Sequence, residues 1–225
     1  MLVKDWMSRP VITVDENDSI QGAMGLLKKH NIRMLPVFKS GKLTGIITDR
    51  DLKRASASDA STLEIHELLY LLTKIKVREI MTKNPITVPL DFTVEETAEV
   101  LLQHKINGVP VMDKEGKLVG VITQTDLFRV IISLTGVGKR GIQFGFKLED
   151  RPGSIKDVAD VIRAYGGKMV SILTSYDGAP KGYRWAYIRI YDIDRSKLEN
   201  LKQDLKTQGP LLYMVDHREN RREIY

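Results

Sequence analysis

Two threonine–aspartate pairs occupy the same place in a repeated segment. Thr48 and Asp51 lie in GIITDRD (residues 45–51), and Thr123 and Asp126 lie in GVITQTD (residues 120–126). A threonine hydroxyl donates and accepts, whereas an ionised carboxylate only accepts. A carboxylate in the first turn of a helix, just past an apolar strand, suits a vicinal diol such as ribose, which offers two O–H donors. The free N–H groups and partial positive charge of the helix N-terminus suit a phosphate. The same pattern is also ordinary N-capping, so the weight falls on its occurring twice in matching contexts. The copies differ in charge: Asp49-Arg50 separates the pair in the first, Gln124-Thr125 in the second. Arg50 can meet a phosphate through a charge-assisted bond, and the second copy has no cation there. The expectation is two unequal sites, the first preferring phosphorylated ligands.

The repeat extends beyond the pairs. Residues 34–38 (MLPVF) match 108–112 (GVPVM), and GKLTG at 41–45 matches GKLVG at 116–120. One supersecondary unit made twice, each burying a face against the other, accounts for this. In the first unit, residues 11–14 read as a short strand. Asp18 or Ser19 caps a helix with Ile20, Ala23, Met24 and Leu27 on a buried stripe. Strands at 34–38 and 43–48 flank a turn at Ser40-Gly41-Lys42, and a helix starts near Asp49. In the second unit, Thr93 and Glu96 form a capping box. Strands near 109–113 and 118–123 follow, and a helix starts near Gln124. Between the units, residues 59–76 carry Leu63, Leu68, Leu69, Leu72 and Ile75, the face of a connecting helix.

The last third reads differently. Residues 142–150 alternate like a strand, and Arg151-Pro152-Gly153-Ser154 turns into a helix with Ile155, Val158, Ala159 and Ile162 on its apolar face. Strands at 168–176 and 183–191, a helix bearing Leu198, Leu201 and Leu205, and a strand at 211–215 complete a βαββαβ order, the ferredoxin-like pattern. Tyr183, Trp185 and Tyr187 share a strand face; core or sheet packing is the default for them, and a subunit interface is the alternative.

Composition narrows the function classes. No apolar stretch approaches the roughly 18 residues of a membrane span, and the N-terminus MLVKDWM has no apolar signal core. Cysteine is absent, which fits a reducing, cytoplasmic setting. The net charge of +6 lies mostly in residues 139–225, partly at Arg218, Arg221 and Arg222. Glu219 and Glu223 intersperse that basic tail, and no aromatic stacking platform accompanies it, so nucleic acid is not the expected partner. His30 and His104 end equivalent helices, a place the helix dipole favours, and neither has a second ligand at metal spacing. No Ser/His/Asp set, Walker-type loop or metal cluster stands out. Neither a catalytic residue nor a metal ligand is expected.

Met7-Ser8 and Met81-Thr82, Ile12-Thr13-Val14 and Ile86-Thr87-Val88, Pro36-Val37 and Pro110-Val111, and the two Gly-x-x-Thr-x-x-Asp segments together resemble a tandem pair of cystathionine-β-synthase (CBS) domains. The resemblance implies a pseudo-two-fold pair in a mixed α+β and α/β fold, with repeats at 1–58 and 77–135 joined by a helical connector at 59–76. It implies clefts for AMP, ADP, ATP or S-adenosylmethionine as a regulatory ligand. Thr48, Asp51, Thr123 and Asp126 would meet ribose and phosphate, with Ile12, Thr13, Ile86 and Thr87 along the base. Asp150-Arg151-Pro152-Gly153-Ser154 in its βαββαβ setting resembles an ACT domain, over residues 139–217. That implies an amino-acid site at Arg151, Gly153 and Ser154. Ligand-binding members often carry Asn or Asp where Met169 stands, so pure dimerisation is an equal reading. The layout resembles AcuB-type (acetoin utilisation) proteins. It implies a homodimeric regulator relaying nucleotide occupancy to an unknown protein. The alternatives are a structural dimerisation protein with vestigial clefts, or an amino-acid-responsive regulator.

Overall fold

The computed structural model describes residues 1–59 and 72–225. The chain forms two compact units, Met1–Leu127 and Phe128–Tyr225. The expected connecting-helix face at Leu63, Leu68 and Leu69 lies outside the described residues. Leu72 is buried and, with Ile75, joins the core of the first repeat.

In unit 1 the first repeat holds β1 (Val14–Asp15), α1 (Ile20–His30), β2 (Met34–Lys39), β3 (Lys42–Thr48) and α2 (Asp49–Asp59). Ser19 caps α1 by accepting from Gly22 N at 3.1 Å. Ser40 and Gly41 both take positive φ, as the two-residue β2–β3 turn requires. The second repeat runs through α3 (Val77–Ile80), β4 (Thr82–Lys83), β5 (Val88–Pro89), α4 (Val94–His104), β6 (Gly108–Met112), β7 (Leu118–Thr123) and α5 (Gln124–Thr135). Thr93 and Glu96 form the expected capping box. Helix α5 gives residues 124–127 to unit 1 and the rest to unit 2.

The sequence repeats and the packed cores do not coincide. One sheet runs β1-β2-β3-β4 and the other β5-β6-β7. Strand β4, from the start of the second repeat, pairs with β3 of the first. Ser8, from the start of the first repeat, bridges Val121 on β7 of the second. The cores follow the same exchange. Val77 packs with Leu35, Val37 and Ile47, while Val3 and Met7 pack with Val109, Val111 and Ile122. A Cβ on Gly45 would overlap the sulfur of Met81, and one on Gly120 that of Met7. The motif glycine in each copy therefore seats a methionine from the start of the other repeat.

Two local expectations need correction. The strand expected at 11–14 is reduced to Val14–Asp15, because residues 8–13 cross from β7 to β2 and have no continuous partner. Met24, expected in the buried stripe, is 38% exposed. At about 100° per residue, Ala23 and Leu27 lie to one side of Ile20 and Met24 to the other. Only the first side is buried.

Unit 2 contains β8 (Ile142–Glu149), α6 (Ser154–Ala164), β9 (Lys168–Ser175), β10 (Tyr183–Tyr191), α7 (Leu198–Gln208), β11 (Leu211–Asp216) and β12 (Arg221–Ile224). The sheet order is β12-β11-β8-β10-β9, antiparallel throughout. Phe144, Phe146, Ile188 and Met214 from the sheet pack with Val158 and Ile162 of α6 and Leu201 and Leu205 of α7. Tyr183, Trp185 and Tyr187 point to the opposite face and are half-buried, so they lie outside this core. The segment expected as a basic tail at 218–225 instead supplies the edge strand β12. Arg221 pairs with Glu199 at 3.3 Å and also with Glu223, and Lys202 meets Glu223 at 2.9 Å. Period-2 patterning is weak in a four-residue strand of mostly charged residues, which hid it.

Candidate functional site

Each Thr/Asp pair forms where an apolar strand feeds a helix. Burial of Ile47 and Ile122 fixes the ends of β3 and β7, and the next turn brings the carboxylate back over the threonine. Asp51 Oδ2 accepts from Thr48 N at 3.0 Å and from Thr48 Oγ1 at 2.7 Å, and Asp51 N donates to Thr48 Oγ1 at 3.3 Å. Asp126 Oδ2 accepts from Thr123 N at 2.9 Å and Thr123 Oγ1 at 2.8 Å. Both pairs therefore act as helix caps, each with one carboxylate oxygen engaged.

The two carboxylates differ in exposure. Asp51 Oδ1 accepts from Arg54 at 2.9 Å, and the Asp51 side chain keeps 13% exposure. Asp126 is 2% exposed, and Ser8 Oγ lies 3.4 Å from its Oδ1. That is a long contact for an O–H···O bond. Ser8 reaches the second pair because the segment at the start of the first repeat is laid beside β7. The first carboxylate is thus the more open of the two. The second is covered by a hydroxyl from the other half of the unit.

Arg50 is exposed. Thr13 and Thr87, from equivalent crossing segments, line one cavity of about 910 Å³ together with Lys42, Asn84 and Lys117. None of Thr48, Asp51, Thr123 and Asp126 lines it. Ile12 packs against the first-repeat core, whereas Ile86 is 36% exposed. The nine expected residues thus divide into two capped pairs, the exposed Arg50, a shared cavity wall and two dissimilar isoleucines. His30 and His104 are exposed, and no group of three or more potential metal ligands occurs among the described residues.

Two contributors were missed by sequence reasoning. Ser8 belongs to the Met7-Ser8 dipeptide that recurs as Met81-Thr82, so the repeat itself carried the signal. Arg54 follows Asp51 by three residues, and Arg129 follows Asp126 likewise. The motif therefore extends to Thr-x-x-Asp-Leu-x-Arg, and the cation at its end is shared by both copies.

In unit 2, Gly153 begins α6 at φ 90° with no side-chain cap, and Ser154 is buried. Arg151 turns to Asp157 at 2.9 Å and Glu149 at 3.4 Å. Those carboxylates hold its guanidinium above its usual pKa, the Asp157 hydrogen bond being the larger cause.

Comparison with known proteins assigns the repeats. The CBS domain family model matches residues 3–58 and 77–133. L-aspartate semialdehyde sulfurtransferase of Methanocaldococcus jannaschii is 40% identical over 57% of this chain, which spans only 23% of that enzyme. A CBS domain-containing protein of Dictyostelium discoideum is 36% identical over 60% of this chain and 93% of its own length. Among solved structures, the CBS domain pair of protein MJ0100, in complex with 5'-methylthioadenosine and S-adenosyl-L-methionine, is 39% identical. It covers 58% of this chain and 95% of that one, with a TM-score of 0.50. A structure described as a putative acetoin utilization protein (AcuB) from Vibrio cholerae is 28% identical, covering 62% of this chain and 96% of its own, with a TM-score of 0.51.

Proposed function

The chain belongs to the CBS-domain family, and on that premise we propose that unit 1 is a regulatory sensor for an adenosine compound. The observation that carries this is the duplicated Thr-x-x-Asp cap, with matching geometry, in a CBS pair 39% identical to one solved with 5'-methylthioadenosine and S-adenosyl-L-methionine. Asp51 and Asp126 would receive the ribose hydroxyls. Arg50 would add a phosphate contact to the first cleft, making it the better site for AMP, ADP or ATP. Thr13 and Thr87 would line the approach, with Ile12 and Ile86 beside the base. The ligand acts as a regulator by binding one arrangement of the pair better than another. Catalysis forms no part of this reading: the sulfurtransferase likeness covers only 23% of that enzyme.

For unit 2 the βαββαβ order and the Gly153 turn support an ACT-type module. On that view Arg151, Gly153 and Ser154 form its amino-acid site, and the unit relays occupancy to a partner protein. Phe128, Ile131, Ile132 and Leu134 stand exposed on α5. Apolar side chains grouped this way commonly mark an association surface, which here fits a cytoplasmic homodimer.

A second reading has its own support. Both carboxylates already serve as helix caps, as they would in a structural protein with vestigial clefts. Isothermal titration of S-adenosylmethionine, AMP and ATP separates the two readings. Heat that Asp51→Ala or Asp126→Ala diminishes supports the sensor. No heat from folded, ligand-free protein supports the structural reading.

A further inference from the structure

We propose that unit 2 binds the phosphoryl group of a small phosphorylated molecule, in the cavity between the β8–α6 loop and the α7–β11 connection. The cavity measures about 490 Å³, within the range of small-molecule sites. Lys147, Arg151, Ser154, Tyr183 and Lys206 line it, together with Glu149 and residues 207–210. The lining thus carries three cations and one carboxylate, a net charge of +2.

The two lysines are the first support. Lys147 Nζ lies 5.2 Å from the centre of the Tyr183 ring, and Lys206 Nζ lies 4.2 Å from that of Tyr225. Among the described residues neither has a carboxylate partner. Arg151, by contrast, is committed to Asp157 and Glu149.

The second support is independent of charge. Ser154 is 5% exposed, and its Oγ is buried without a hydrogen-bond partner. A buried hydroxyl left unpaired costs about 1–3 kcal/mol, so its retention calls for a function. It sits in the first turn of α6, an eleven-residue helix with no side-chain cap. The first N–H groups of such a helix favour an anion, and phosphate most readily. A dianion matches the two lysines that have no carboxylate partner, and Tyr183 and Pro210 offer an apolar wall for the rest of the molecule. This inference stands apart from adenosyl binding in unit 1. It shares Arg151 and Ser154 with the amino-acid site of the ACT-type reading and competes with it for the ligand, since three cations against one carboxylate favour a phosphate over an ammonium group.

The test titrates inorganic phosphate and glycerol 3-phosphate into the full chain, with succinate as a dicarboxylate control, by calorimetry and by amide chemical shifts. The expected result is binding of both phosphates, with shifts at the Ile155 and Lys156 amides. Paired Lys147→Ala and Lys206→Ala changes should weaken it about tenfold or more, while Asp51→Ala with Asp126→Ala leaves it intact. Ser154→Ala should weaken binding without lowering the stability of the unliganded protein. Absence of binding at about 10 mM phosphate would overturn the proposal. So would binding indifferent to the lysines in folded protein, or succinate binding as well as phosphate.

Discussion

Removing the two motif aspartates one at a time tests whether they are caps, ligand groups or both. Asp126→Ala strips the acceptor from Thr123 N and Thr123 Oγ1 at a residue only 2% exposed. A hydrogen bond to a charged group contributes about 1.5–3 kcal/mol. The hydroxyl can rotate to another partner but the peptide N–H cannot, so the net cost is about 2–3 kcal/mol. Asp51→Ala removes the equivalent two bonds and an exposed contact to Arg54, where the side chain keeps 13% exposure. Water replaces part of the loss there, leaving about 1–2 kcal/mol. For a chain of this size roughly 2–4 °C accompanies each kcal/mol, so Asp126→Ala should lower the melting temperature more than Asp51→Ala. The binding loss is larger. Two ribose hydroxyls donating to a carboxylate, less what water recovers, amount to about 2–4 kcal/mol, or roughly 30- to 700-fold in Kd. Calorimetry with S-adenosylmethionine and 5'-methylthioadenosine, on variants whose fold is checked by circular dichroism, reads the affinity. Undiminished affinity in both variants refutes the ligand role. An Asp51→Ala cost equal to or above that of Asp126→Ala refutes the burial argument.

Three further outcomes follow from the geometry. Arg50→Ala should weaken AMP and ATP about tenfold through loss of a charge-assisted bond, with little effect on S-adenosylmethionine; equal losses for all three ligands would sink the phosphate role. Gly120→Ala forces the Met7 side chain to move, because the new Cβ meets its sulfur, Cγ and Cβ. Chemical denaturation should show a loss of about 1–3 kcal/mol, and an unchanged midpoint would contradict the exchange of N-terminal segments. Burial first, then the charges of Arg189 and Arg222, lower the pKa of His217 from its ordinary 6.5. The unfolded chain then binds the extra proton first, so His217 stabilises the fold above about pH 6.5 and loses that contribution as pH falls below it. Melting curves should show His217→Gln flattening the pH dependence just below 6.5; a curve parallel to the parent's would refute this.

Much of the scaffold was legible because its causes are local. Ser19 and Thr93 mark helix starts through bonds within a few residues, and alternation in β8 and β10 reports which side chains meet the helices. The two Thr/Asp pairs were legible for the same reason, since donor and acceptor are three residues apart. Weak or two-sided local patterns failed: Met24 sits on the edge of its stripe, and β12 is too short and too charged to show a period.

The sequence by itself determined two repeats, their strands and helices, and a polar pair at the head of one helix in each. Only the tertiary structure decided which segment completes which half. Met7-Ser8 and Met81-Thr82 are near-equivalents, so either could lie against Gly45 or Gly120, and no period or cap distinguishes the pairings. Packing decides it: residues 8–13 and 82–87 span from one sheet to the other, carrying Ser8 to Asp126 and Met81 to Gly45. That choice rests on contacts more than 30 residues apart, where the free energy comes from burying side chains together and not from any local conformational preference.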